Sequence, residues 1–128
     1  MARSYRDFKA EPDDIAALKA HLRSGRPEAF VCGNDTAAVR LKISLEKLGF
    51  RVPDDIRLAS FDDVRYAKIV TPQLTTVHQP CEKIAEVAFR RLLSRIADPL
   101  LQPCTISLPA DLIVRASSGQ PMSRRRKL

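Results

Sequence analysis

The sequence predicts an α/β fold with a mainly parallel sheet, and three observations carry that prediction. Short apolar runs bounded by proline and glycine alternate with amphipathic stretches at helical spacing through most of the chain. One run, Ile56 to Phe61, stops abruptly on Asp62 and Asp63, which puts charge at the carboxyl end of a strand, where open α/β sheets bind their ligands. A length of 128 residues suits one domain with one modest core.

Each element follows from its residues. Tyr5 to Phe8 is a weak strand candidate, diluted by Arg6 and Asp7. Glu11-Pro12-Asp13-Asp14 sets carboxylates where the free amides of a first helical turn want them. Ile15, Leu18 and Leu22 then recur on one helix face, and Gly25 supplies a stop. Glu28 to Gly33 is a short apolar run that fits a buried parallel strand. Asp35 is placed to cap the following helix, Thr36 to Leu48, and contact with a ligand is its second reading.

That helix has two apolar stripes. Leu41, Leu45 and Leu48 with Ala37 face the sheet, while Val39 and Ile43 lie nearly opposite, rimmed by Arg40, Lys42, Glu46 and Lys47, the pattern of a subunit contact. Val52-Pro53-Asp54-Asp55 is a turn into the Ile56 to Phe61 strand. Thr71-Pro72 breaks the Val64 to Val70 segment, and Leu74 to Val77 is β-branched and strand-like. Cys81 to Asp98 carries the longest helical pattern, with Ile84, Phe89, Leu92 and Ile96 on its apolar face. Left in water, these four would forgo roughly 1.5–3 kcal/mol each, so the helix is expected to exchange with the same region of a second chain, hinged at Gln79-Pro80, with folding back on its own sheet as the alternative. Thr105 to Leu108 and Leu112 to Arg115 read as two short closing strands.

Composition narrows the function. Hydrophobic residues at 45% and charged residues at 29% describe a globular chain, and no apolar run approaches the roughly 20 residues of a membrane span. MARSYRDF has no secretory h-region, which predicts a cytoplasmic chain. Cys32, Cys81 and Cys104 are widely spaced, with only His21 and His78 beside them, so free thiols and neither metal nor cofactor are expected. The net charge of +7 invites a nucleic-acid reading, but Arg124, Arg125, Arg126 and Lys127 supply four of those charges, and the body is only mildly basic.

Cys32 to Asp35 (CGND), Val52 to Pro80 (VPDDIRLASFDDVRYAKIVTPQLTTVHQP) and Leu108 to Ser117 (LPADLIVRAS), in this order, resemble the C-terminal part of the effector-sensing domain of LacI/GalR-type transcription regulators. The resemblance covers roughly Tyr5 to Ser118. The same sensing domain also occurs under a GntR-type winged helix in arabinose-repressor-like proteins. The resemblance implies an incomplete periplasmic-binding-protein-like, Rossmann-like lobe. In that fold two lobes are joined by crossing strands, and the run after LTTVHQP enters the N-terminal lobe before the last strands return. It implies a partial effector-binding and dimerisation domain over residues 1–118, including a crossover helix at 81–98, and a disordered basic tail at 119–128. The N-terminal lobe, the first strand and helix of the C-terminal lobe and a DNA-binding head would all lie outside these residues.

A strand-end carboxylate is a strong acceptor for sugar hydroxyls or a purine N–H. By resemblance Asp62 matches the ligand-binding aspartate of the family, Asn34 its ligand-binding asparagine, and Gln79 a position near the ligand at the crossover. Phe61 stands where the family often has Tyr or Phe, and Asp35 remains a secondary ligand candidate. The Thr36 to Leu48 helix lies at the family's dimer interface, so Val39, Ile43 and Tyr66 are assigned to the partner subunit. Asp63 is expected to bind backbone amides of its own turn, and His78 to be structural. An acid/base pair at Asp62 and Asp63 is disfavoured because neighbours on a strand point to opposite faces, and no catalytic residues are assigned. The leading expectation is the effector-sensing and dimerising segment of a bacterial repressor responding to a small sugar or nucleobase, meeting DNA only through a separate head. A periplasmic-type sugar-binding protein and a ligand-free dimerisation fragment are the alternatives.

Overall fold

The computed structural model describes residues 6–119. In chain order the elements are α1 (Ile15–Ser24), β1 (Ala29–Val31), α2 (Asp35–Lys47), β2 (Arg57–Asp62), a 3-10 turn at Arg65–Lys68, β3 (Thr75–His78), α3 (Cys81–Ala97), β4 (Asp111–Ile113) and a 3-10 turn at Ala116–Ser118. The sheet runs β1-β2-β3-β4, with the first three strands parallel and β4 antiparallel to β3. Val31, Ala59 and Thr75 lie side by side across the parallel strands, so β1, β2 and β3 present their carboxyl ends along one edge.

Local chemistry sets the boundaries. The Asp14 side chain accepts from the Ala17 amide to cap α1, which closes before Gly25. Gly49, at φ 85°, follows α2, a backbone angle that a side chain would strain. One face of the sheet is covered: Leu18 and Leu22 of α1 and Ala38, Leu41 and Leu45 of α2 enclose Leu58, Ile56 and Leu74 in a single apolar core. Phe8, His21 and Phe30 stack edge to face beside it.

Three expectations change, and the alternative position considered for α3 is not observed. The Glu28–Gly33 run is a parallel strand but not a buried one, because β1 is the sheet edge and Val31, on the uncovered face, is 74% exposed. Thr105 to Leu108 forms no strand; of the two expected closing segments only the second pairs with the sheet, as β4 beside β3. Arg6 to Phe8 belongs to no regular element, whereas Tyr5 and all of the 119–128 tail except Gly119 lie outside the described residues. α3 does not fold back on its own sheet. It contains no buried residue, and Phe89 and Ile96 are 61% and 68% exposed. Among the described residues, no helix is long and apolar enough to cross a membrane.

Candidate functional site

The acidic edge is built where β2 and β3 end side by side, Asp62 beside His78, while β1 stops earlier, at the level of Ala59. Past Val31 the Cys32 amide still donates to the Ala59 carbonyl at 2.8 Å, so β1 leads directly to Asn34. Asn34, in extended backbone, accepts from the Ala37 amide through its Oδ1 at 2.7 Å and is the N-cap of α2. The cap expected at Asp35 therefore sits one residue earlier. The amide nitrogen of the exposed Asn34 side chain remains available to donate outward.

Asp35 is the first helical residue and is fully buried. Its Oδ1 accepts from the Ser60 hydroxyl at 2.5 Å and the Thr76 hydroxyl at 2.7 Å, and its Oδ2 accepts from the Val64 amide at 2.9 Å. One side chain thus ties α2 to β2, β3 and the turn after β2. Enclosed in this way, its oxygens meet no crevice, and Asp35 is a polar core residue.

β2 leaves the sheet through two consecutive positive backbone angles, 109° at Asp62 and 55° at Asp63, which non-glycine residues rarely adopt. The Asp63 side chain holds this bend. Its Oδ1 accepts from the Arg115 guanidinium at 2.6 Å, while Oδ2 lies 3.2 Å from Nδ1 of His78 and 3.5 Å from Nζ of Lys68. Burial pushes the Asp63 carboxyl up, but the Arg115 hydrogen bond and charge, with Lys68, outweigh this and leave it below its ordinary value. Asp63 is structural as expected, though through ion pairs rather than amides of its own turn, and His78 has in Asp63 a partner that its sequence context did not reveal.

The bend presents Asp62 at the edge, where its Oδ1 accepts from Nε2 of Gln79 at 2.6 Å. Gln79 follows β3 directly, so this bond joins the end of one strand to the connection leading into α3. Asp62 and Gln79 are thus brought together. Asn34 shares their edge with its side-chain oxygen on its own helix, and Phe61 lies on the uncovered sheet face, 41% exposed. The Tyr66 hydroxyl is hydrogen-bonded to the Thr36 hydroxyl, which sets Tyr66 beside α2. Ile43 is exposed on α2, while Val39 is partly drawn into the core and is not the free stripe that its spacing predicts.

Sequence reading missed Arg115 and Ser117. Arg115 donates to Asp63 and to the Leu74 carbonyl at 2.9 Å, and the buried Ser117 hydroxyl donates to the Leu58 carbonyl while accepting from the Thr75 amide, both at 2.8 Å. The usable signal was a lone arginine inside an apolar β-run, since a charge there needs an enclosed partner. Burial pushes the Cys32 thiol up to about 11, which keeps it protonated and marks it as core. A groove of about 390 Å³ lies away from this edge, between α3 and residues 104–108.

A parallel sheet whose adjacent strands β2 and β3 end side by side, with the Asp62 acid at the end of one held by Gln79 at the end of the other, is the architecture of an α/β ligand-binding lobe. The chain belongs to the periplasmic binding protein-like domain family, whose profile matches residues 2–118. It is 39% identical over 111 residues to the HTH-type transcriptional repressor PurR of Escherichia coli, covering 87% of this chain and 33% of that protein. The chain therefore spans about a third of the length of the curated relatives it matches. Among solved structures, it superposes on a LacI family transcriptional regulator from Lactobacillus casei with bound sucrose (31% identity, TM-score 0.66, 84% of this chain and 41% of that one). It also superposes on the transcriptional regulator CelR in complex with cellobiose (30% identity, TM-score 0.73, 82% and 32%). These relatives are transcription regulators.

Proposed function

We propose that this chain is the effector-sensing and dimerising segment of a bacterial, cytoplasmic transcription regulator of the LacI type, without enzymatic activity. The effector is a small sugar or nucleobase, and DNA is met through a head outside these 128 residues. The observation that carries this reading is the Asp62–Gln79 bond at the carboxyl edge of the parallel strands. It leaves Oδ2 of Asp62 as a charged acceptor at the edge, with the Asn34 amide as a donor on the same edge, a pairing suited to hydroxyl-rich ligands. The sugars bound by the solved relatives support the sugar branch.

The test is calorimetric titration of the parent regulator with cellobiose, sucrose and ribose, alongside Asp62→Ala. The expected result is loss of saccharide binding by at least tenfold with the unfolding midpoint unchanged, since a partly exposed strand-end acid adds little to the core. Loss of folding would make Asp62 structural, and unchanged affinity would end the ligand assignment.

A second expectation concerns subunits. Ile43 and Tyr66 are exposed on and beside α2, with Val39 at their margin. Replacing Val39 and Ile43 with Glu should halve the particle mass measured by light scattering, because a charge in an apolar contact is desolvated without a partner. An unchanged mass would remove this interface.

A further inference from the structure

We propose that Asp63 is the positioning residue of the effector site: its cluster with Arg115, His78 and Lys68 fixes the bend that aims Asp62, and so sets effector affinity without touching the effector. The inference rests on the reading of Asp62 as the effector acid. Among the described residues, Gln79 is the one hydrogen-bond partner of the Asp62 side chain. A single contact leaves the direction of the second oxygen to the backbone beneath it, where φ is 109° at Asp62 and 55° at Asp63. Two successive angles of this sign persist in residues with side chains only where the surroundings hold them.

The holding contacts fall on the residues just past Asp62. The Asp63 amide donates to Oγ1 of Thr76 at 3.3 Å and the Val64 amide to Asp35 at 2.9 Å, which pins the backbone beyond the bend to β3 and α2. The enclosed Asp63 carboxylate then gathers Arg115 from beyond β4, His78 from the end of β3 and Lys68 from the 3-10 turn. Two adjacent acids are thus given different tasks: Asp63 turns inward to three basic side chains, and Asp62 is left to the edge. His78 lies beside Asp62 in the sheet register and directly precedes Gln79, so the cluster also steadies the donor that orients Asp62. An acid already held in its binding direction loses little further freedom when a ligand arrives, whereas an acid on an unclamped bend has to be ordered first, which weakens binding.

The experiment is calorimetric titration of the parent regulator and its variants with cellobiose, sucrose, ribose and adenine, with the unfolding midpoint of each protein recorded beside its affinity. Asp63→Gly suits the left-handed backbone but lacks the clamp, and should weaken binding of whichever compound the parent takes by about tenfold or more. Asp63→Asn keeps an oxygen for Arg115 and should lie between the parent and Asp63→Gly. Asp63→Gly/Arg115→Met removes both charges of the enclosed pair, so its midpoint should recover relative to Asp63→Gly while its affinity stays low. Affinity that returns together with the midpoint would show a merely structural role, and an Asp63→Gly variant that binds as the parent does would equally overturn the proposal. If Asp62→Ala also binds as the parent does, or the parent takes none of the four compounds, the effector reading itself falls and this inference with it.

Discussion

Asp35→Ala is expected to lower the stability of this domain by at least about 3 kcal/mol, although it removes no apolar contact of consequence. Three donors on three different elements converge on this carboxylate: the Ser60 hydroxyl, the Thr76 hydroxyl and the Val64 amide. The buried Thr76 hydroxyl and the half-buried Val64 amide would lose this acceptor, at about 1–3 kcal/mol apiece, the Ser60 hydroxyl would keep only a long contact to the Thr75 carbonyl at 3.4 Å, and alanine also leaves a small void. Asp35→Asn should cost about half as much. Its single oxygen can serve the Val64 amide while its NH2 donates to the two hydroxyls, which rotate to accept. Chemical denaturation of the three proteins checks the order, and an alanine variant within 1 kcal/mol of the parent would show that water enters and satisfies the site.

Arg115→Met is expected to cost about 3 kcal/mol and to change how stability responds to acid. The guanidinium and the Asp63 carboxylate are both largely enclosed, with side chains 12% and 6% accessible, and removing one partner of such a pair strands the other. Lys68 and His78 still flank Asp63, which keeps the loss at the lower end of the usual range. The sign with pH follows from the lowered carboxyl of Asp63, whose ordinary value is 3.8. The unfolded chain takes up this proton first as pH falls, so the stabilisation is fully present above about pH 4 and is lost as pH drops through the folded-state value. Urea titrations at neutral pH and near pH 3 should show a smaller acid loss in Arg115→Met than in the parent. Equal acid sensitivity in both would remove Asp63–Arg115 from the acid response.

The contrast between Asp62 and Asp35 shows what the sequence could and could not disclose. Asp62 was legible because an apolar run ending on charge defines a strand terminus, and strand termini in parallel sheets face ligands. Asp35 misled because a carboxylate just before a helical pattern fits a cap equally well, and nothing local distinguishes the cap at Asn34 from a carboxylate that reaches 41 residues ahead to Thr76. The Arg115–Asp63 pair spans 52 residues and was likewise invisible. α3 was drawn correctly as a helix from its own periodicity, but whether its apolar face met the sheet depended on where Gln79-Pro80 aims the chain.

By itself the sequence determined the alternation of strands and helices, the parallel class of the sheet, the strand-end position of Asp62 and the amphipathic pattern of α3, because each is set by hydrophobic periodicity and turn residues a few positions apart. Only the tertiary structure decided that β1 is an edge strand, that Asn34 caps α2 while Asp35 is sealed beneath it, that Gln79 holds Asp62, and that α3 stands off the core. Those outcomes depend on which distant donors and surfaces arrive at the same place, and burial and hydrogen-bond satisfaction are properties of that meeting rather than of any local stretch of chain.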